Sequence, residues 1–320
     1  MAEIIGLGEL LIDFACTGNN EDGYPTMSAH PGGAPANFLA AVAKFGATAG
    51  MIGKVGNDAF GNLLIGTLKK ANIDVSGIVV AEDVFTTLAF VTFNDAGDRS
   101  FSFARKPGSD TRLTFAEVNL PLIDGAKVLH FGTLSLTDEP AKTATYKAVS
   151  YAKSKGKLIT FDPNLRKPLW RDLDECKKQM LWGLQQADVV KISDEEVEFL
   201  FDLDVESGAR HILNTYGVKL VFVTCGAEGC FFSNAVASGK VPSLSGIQVI
   251  DTTGAGDIFG GSAVCKLLQT GKNPAELTEK QLLEITTFAC TAAGLSTTKS
   301  GGISSVPTLD EVQSYLLKSK

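Results

Sequence analysis

The chain has 320 residues, 44% of them hydrophobic and 20% charged, with 33 glycines and a formal net charge of −7. That is the balance of a globular protein long enough to bury a full core, and its acidic excess excludes the basic footprint that a nucleic-acid backbone demands. No run of about 18 apolar residues offers a membrane span, and "MAEIIGLGEL" carries neither a basic n-region nor a cleavage-like site, so a cytoplasmic location is expected. Three histidines (His30, His130, His211) and six cysteines (Cys16, Cys176, Cys225, Cys230, Cys265, Cys290) are scattered without ligand or C-x-x-C spacing. Reduced thiols and no Cys/His metal site follow as expectations.

In chain order, "EIIGLG" opens as a strand. "GLGELLID" starts like a dinucleotide fingerprint, but Leu11 stands where the third small residue belongs, so the pattern is incomplete. Asp13, just past this strand, reads as a turn residue or as a ligand for substrate hydroxyls. "FACTGNNEDGYPTMSAHPGG" is a polar, turn-rich excursion, and "TTLAFVTF" and "RSFSFAR" flank "NDAGD" in the manner of a hairpin. A hairpin between α/β units does not join a buried parallel sheet easily. Residues about 12–31 and 86–106 are therefore expected to form a small β-sheet lid. Its alternating apolar residues (Leu88, Phe90, Phe101, Phe103) call for a cover, either the site itself or the lid of a second subunit, and a homodimer through the lid is expected on that ground.

From residue 127 the pattern alternates. "KVLHF", a helical stretch ending at Gly156, "KLITFD", a helical stretch over 172–186, "ADVVKI", "SDEEVEFLF" and "KLVFVTC" follow one another. Strands of β-branched residues separated by helices predict a doubly wound α/β body, with a mostly parallel sheet covered on both faces. No repeat or linker divides it, so residues 1–320 are expected to be a single domain with the lid segments inserted.

Two glycine-rich loops carry the chemistry. In "DTTGAGDIFGG" (251–261), Gly254, Ala255 and Gly256 lead into a helix whose first N–H groups are unpaired and carry roughly half a positive charge. Without side chains ahead of it, a phosphate could lie there. Asp257 beside that place reads either as an N-cap or as a general base taking a hydroxyl proton during phosphoryl transfer. The pair Gly260 and Gly261, costing about 1 kcal/mol each in a helix, is expected to belong to the same machinery. In "PGGAPANFLAAVAKFG" (31–46), Gly32 and Gly33 turn the chain, Pro35 suits a first helical turn, and Asn37 can both donate to and accept from a hydroxyl. Each Gly-Lys pair is followed by a residue other than Ser or Thr, which excludes a P-loop. Arg105 ends a lid strand and Arg166 follows "FDPNL"; ligands bind at strand carboxyl ends, which favours Asp13 and Arg166.

Together, "GGAPANFLAAVAKFG" and "DTTGAGDIFGG" resemble the two signature motifs of PfkB-type, ribokinase-like carbohydrate kinases. The likeness runs from "GLGELLIDF" to "TTKSGGISSVPT". "FDPNLRKPLW", "VKISDEEVEFL" and "RSFSFARKPGSD" look most like fructokinases. The resemblance implies a Rossmann-like body, a β-sheet lid over a sugar, and ATP with Mg²⁺. It assigns Asp257 as catalytic base, with Gly254, Ala255 and Gly256 as anion hole. Asp13, Gly33, Asn37, Arg105 and Arg166 match sugar-facing positions. Lys191, Thr224, Gly226, Gly229 and Gly256 match the surroundings of ATP. Asp251 and Thr253, with the backbone near Ser300 and Gly302, match the place where many members hold a monovalent cation such as K⁺. The family often has N-x-x-E near its metal and phosphates. Here Ser193 takes the place of the Asn, in a pattern that is also a capping box, and Glu196 stays as the metal-side candidate, acting through water. The implied reaction is phosphorylation of D-fructose to fructose 6-phosphate. The alternative within the family is a 2-keto-3-deoxygluconate kinase, whose acceptor carboxylate would pair with Arg105 and Arg166.

Overall fold

The structure, a computed structural model, describes residues 2–93 and 99–318. The first apolar run forms β1 (Ile4–Leu7), after which the chain leaves for the long antiparallel strands β2 (Leu11–Asn19) and β3 (Pro25–Gly32). There follow α1 (Ala34–Lys44), β4 (Ala49–Gly56), α2 (Ala59–Lys70), β5 (Ile73–Ala81) and the antiparallel pair β6 (Thr87–Phe93) and β7 (Arg99–Ala104). The alternating part comprises α3 (Leu120–Gly125), β8 (Val128–Gly132), α4 (Ala141–Ser154), β9 (Leu158–Asp162), α5 (Leu173–Gln186) and β10 (Val189–Ser193). It continues through α6 (Asp194–Phe201), α7 (Val205–Tyr216), β11 (Leu220–Thr224), β12 (Cys230–Asn234) and β13 (Ser238–Val241). Three helices close the chain: α8 (Ala255–Thr270), α9 (Glu279–Ser296) and α10 (Leu309–Lys318).

Among the described residues these strands make two sheets. The nine-stranded one runs β13-β12-β11-β10-β9-β8-β1-β4-β5. It is parallel from β11 to β5 and ends in the antiparallel β12 and β13. That edge is not foreseen by the βα alternation, because it forms after the alternation stops. Strand side chains divide between two faces: Ile5, Leu7, Val221 and Val223 face one core, Ile4 a second, and Leu220 and Phe222 a third that shares the face of the second. Residues of α4, α5 and α7 (Ala148, Leu184, Ile212) fill the first core, and residues of α1, α8 and α9 (Leu39, Ile258, Ile285) fill the others. Strands buried on both faces must be apolar at every position, as "LVFVT" is.

The smaller sheet has the order β3-β2-β6-β7, with β2 and β6 parallel. It corresponds to the segments expected at 12–31 and 86–106, while the "NDAGD" turn lies outside the described residues. Asp13, Ala89 and Phe103 are register neighbours across it. On its other face Phe14 stacks on Phe90 and meets Phe60 of α2 edge-on, each with ring centroids 5.4 Å apart. Of the alternating residues from which a homodimer was expected, Phe103 lines the cleft and Phe90 stacks on Phe14 of the neighbouring strand. In the large sheet β1 lies between β4 and β8, so the chain winds outward in both directions from it. The crevice at such a switch point, at the strand carboxyl ends, is where α/β sheets place ligands.

Candidate active site

The carboxyl ends of β1, β9 and β10, the starts of α1 and α8 and the inner face of the small sheet enclose a cleft of roughly 780 Å³. Glu9, Asp13, Gly33, Asn37, Arg166 and Asp257 lie along it, and Val91 and Phe103 form its lid side. A second cavity of roughly 420 Å³ lies on the other side of the turn into α8, reached by Thr224, Gly226, Gly229, Ala255 and Gly256. Its walls are apolar, with Leu244, Ile247, Val249 and Phe259, and Thr252 borders both spaces. The loop 252–257 is thus a partition between a polar cleft and an apolar one.

α8 begins at Gly254, a left-handed N-cap (φ 75°) with no side chain to satisfy the turn. Asp257 is therefore not the cap; it lies one turn in and is buried. Ala255 N–H donates to Thr252 O at 3.2 Å. Among the described residues no backbone carbonyl accepts from the N–H of Gly254, Gly256 or Asp257. Of the residues expected to form an anion hole, Gly254 and Gly256 keep N–H groups without a backbone acceptor, as does Asp257, whereas the Ala255 N–H is taken by Thr252. Of the Gly260–Gly261 pair, a Cβ at Gly261 would overlap the Phe38 carbonyl of α1, so this glycine lets α8 lie against α1, while one at Gly260 would make ordinary contact with the Phe38 ring.

That close packing brings the two loops together. Asn37 Nδ2 donates to Asp257 Oδ2 at 2.9 Å across 220 residues of sequence. Asn37 is itself buried and packs on Gly302, where a Cβ would overlap its Oδ1. Asp251 fastens the neighbouring turns, accepting from Thr253 N at 2.9 Å, Thr253 Oγ1 at 2.7 Å, Gly301 N at 3.0 Å and Ser300 Oγ at 3.3 Å. Asp251, Thr253 and Ser300 are thereby joined, with Gly301 leading on to Gly302.

Beneath the partition, Lys191 Nζ pairs with Asp162 Oδ2 at 3.0 Å. Lys191 does not line the apolar cavity; it lies under Gly256, 3.0 Å from where a Cβ would stand. Ser193 and Glu196 form a full capping box at the start of α6. The second Glu196 oxygen accepts from Leu165 N at 2.7 Å, which fixes the loop carrying Arg166. Arg166 is exposed, and its guanidinium donates to Leu165 O at 3.1 Å.

Burial and like charge shape this acid-rich centre. Burial pushes Asp257 up to about 6, helped by the Asp162 carboxylate and opposed by the Asn37 bond, Lys191 and Arg166. Burial pushes Asp13 up to about 7, with Arg166 pulling down and Asp257 and Asp251 adding to the rise. Glu9 reaches about 7, again mainly through burial. Burial alone would lower Lys191, yet the carboxylates of Asp162, Glu196 and Asp257 hold it above the ordinary lysine value. A carboxylate held near neutrality beside unpaired N–H groups can take a proton from a hydroxyl while those groups stabilise an anion.

Residues 1–309 match the pfkB family of carbohydrate kinases. The chain belongs to that family. It is 41% identical over 319 residues to fructokinase-1 of Zea mays, covering 98% of each chain. A crystal structure of a Xylella fastidiosa fructokinase with bound ATP superposes with a TM-score of 0.91 at 29% identity, covering 100% of this chain and 99% of that one. A Vibrio cholerae O395 fructokinase with fructose, ADP and calcium ion gives 0.86 at 28% identity over 99% of both chains.

In this family member Arg105 departs from the expected placement. It does not border the cleft. Its guanidinium is buried and committed to Asp110 Oδ2 at 2.7 Å, Thr137 Oγ1 at 2.7 Å and Leu134 O at 2.8 Å, where it ties the foot of β7 to the body. Two further carboxylates of the kinase's centre, Glu9 and Asp162, are given no role by any motif of the sequence. Both stand at or just beyond the carboxyl end of a central strand, and that position is the signal that could have found them.

Proposed function

We propose that this kinase transfers the γ-phosphoryl group of ATP to the 6-hydroxyl of D-fructose, with Asp257 as general base. The observation that carries the reading is Asp257 itself: a buried carboxylate, raised to about 6, in the partition between an acid-lined cleft and an apolar cavity. The relatives named fructokinase, one with ATP and one with fructose and ADP, support fructose and ATP as the two substrates. Asp13 and Asn37 would hold ring hydroxyls so that the acceptor oxygen meets Asp257 Oδ1. That carboxylate takes the proton, and the N–H groups of Gly254, Gly256 and Asp257 bear the charge on the moving phosphoryl. Val91 and Phe103 on the small sheet exclude water, which competes for the phosphoryl group.

Thr224, Gly226 and Gly229 would flank the nucleotide, and Lys191 would counter its charge from below the partition. Mg²⁺, when bound with ATP, neutralises phosphate charge. Glu196 lines the cleft, with its oxygens already accepting from Leu165 N and Ser193 N, and would meet such an ion through water. Asp251 is already surrounded by donors. A monovalent ion such as K⁺ would therefore rest on backbone oxygens near Ser300 and Gly302, as well as on the Asp251 clamp. An acid acceptor such as 2-keto-3-deoxygluconate is served less well, because Arg105 is committed to Asp110 and Glu9 and Asp13 line the cleft. The test is ADP release from ATP and Mg²⁺ with D-fructose, 2-keto-3-deoxygluconate, ribose or glucose. A preference for fructose of about tenfold or more in kcat/KM, a difference of about 1.4 kcal/mol in transition-state binding, is expected. A preference for the keto acid would overturn the acceptor and return Arg105 to question.

A further inference from the structure

Glu9 is a buried carboxylate of the cleft to which the proposed reaction gives no role. It stands just beyond β1, is 2% exposed, and its Oε1 accepts from Ala34 N at 2.9 Å. Ala34 is the first residue of α1, and the N-cap before it is Gly33, which has no side chain to cap with. A helix start normally draws its acceptor from its own cap residue; here the acceptor comes from another element. Glu9 and Gly33 also touch directly, because a Cβ on Gly33 would overlap the Glu9 carbonyl.

The consequence reaches Asp257. Asn37 N–H closes the first turn of α1 on Gly33 O at 3.0 Å, and the Asn37 side chain donates to Asp257. Asn37 Oδ1 has no hydrogen-bond partner, so the amide is held by its one hydrogen bond, to Asp257, and by packing on Gly302. Where the amide points is then set by where the first turn of α1 stands, and Glu9 sets that.

We infer that Glu9 is a positioning residue: its carboxylate anchors the first turn of α1 through the Ala34 N–H and thereby aims Asn37 at the Asp257 carboxylate. This rests on the proposed role of Asp257 as base. Glu9 and the Ala34 N–H act through Asn37 and Asp257, which face the sugar cleft, so their loss appears in kcat and leaves KM for ATP in place. It also has a pH signature. The Asn37 bond holds Asp257 below the value burial alone would give. Weakening that bond raises Asp257 further and moves the acid limb of the kcat profile to higher pH.

The test uses Glu9→Ala, Glu9→Gln and Ala34→Pro in the full chain, with the sugar that the unaltered protein phosphorylates. Proline suits a first helical position and deletes the donor without touching Glu9, which keeps the test intact should Glu9→Ala not fold. Glu9→Ala and Ala34→Pro are expected to lower kcat roughly ten- to hundredfold, the scale of a misplaced reacting group, and to move the acid limb upward. Glu9→Gln retains an acceptor oxygen and is expected to recover most of the rate and the original acid limb. A folded Glu9→Ala with unchanged kcat and acid limb would overturn the inference, as would a Glu9→Gln as impaired as Glu9→Ala. Absence of turnover on fructose by the unaltered protein would instead strike the proposed function.

Discussion

Replacing Asp257 by Asn changes two atoms' worth of chemistry and almost no volume. The Asn37 amide already donates to this side chain, so the substituted amide must offer its oxygen there and turn its NH₂ toward the acceptor hydroxyl. A donor then stands where the base should accept, and kcat is expected to fall roughly 10²- to 10⁴-fold, the worth of a positioned base. Stability should move the other way. Asp257 goes from 3.8 to about 6 on burial, and at about 1.4 kcal/mol per pH unit its ionised form costs the fold on the order of 2–3 kcal/mol. An acid whose folded value is raised destabilises the fold above that value, so the cost is full above pH about 6 and gone below the unfolded value near 4. The neutral amide escapes it. Initial rates of ADP release, with denaturant unfolding at pH about 8 and about 4, read both effects. A variant with near-normal kcat and intact folding would refute the assignment of the base; one that is slow but equally destabilised at both pH values would refute the electrostatic account.

The rate should fall with acid between pH about 7 and about 6, as Asp13 and Asp257 take up protons. A kcat/KM profile flat down to pH about 5 would show that neither carboxylate must be ionised. Arg105→Ala leaves Asp110 buried without its cation and should cost about 3–5 kcal/mol in urea unfolding; a loss within about 1 kcal/mol, the scale of exposed pairs, contradicts the burial argument. Gly302→Ala places a Cβ on Asn37 Oδ1 and should lower kcat roughly ten- to hundredfold through the displaced amide. Unchanged kcat would mean that Asn37 is free to shift without consequence.

Residues whose meaning is local were legible in the sequence. The bare turn Gly254–Gly256 announces a helix start, and Ser193 with Glu196 spells a capping box, because both depend on neighbours three or four positions away. Period and β-branching give the alternating α/β body for the same reason. What tertiary structure alone decided is what depends on separation in space. Asn37 and Asp257 meet only because Gly261 lets α8 lie on α1. Asp162 meets Lys191 only because β9 and β10 pair side by side. Arg105 looks the same in sequence whether it faces a sugar or a carboxylate five residues on, and the fold of residues 105–110 settled on the carboxylate. Glu9 caps a helix 25 residues away, a choice that no local pattern records, because the acceptor and the donor become neighbours only when the small sheet between them folds out of the way.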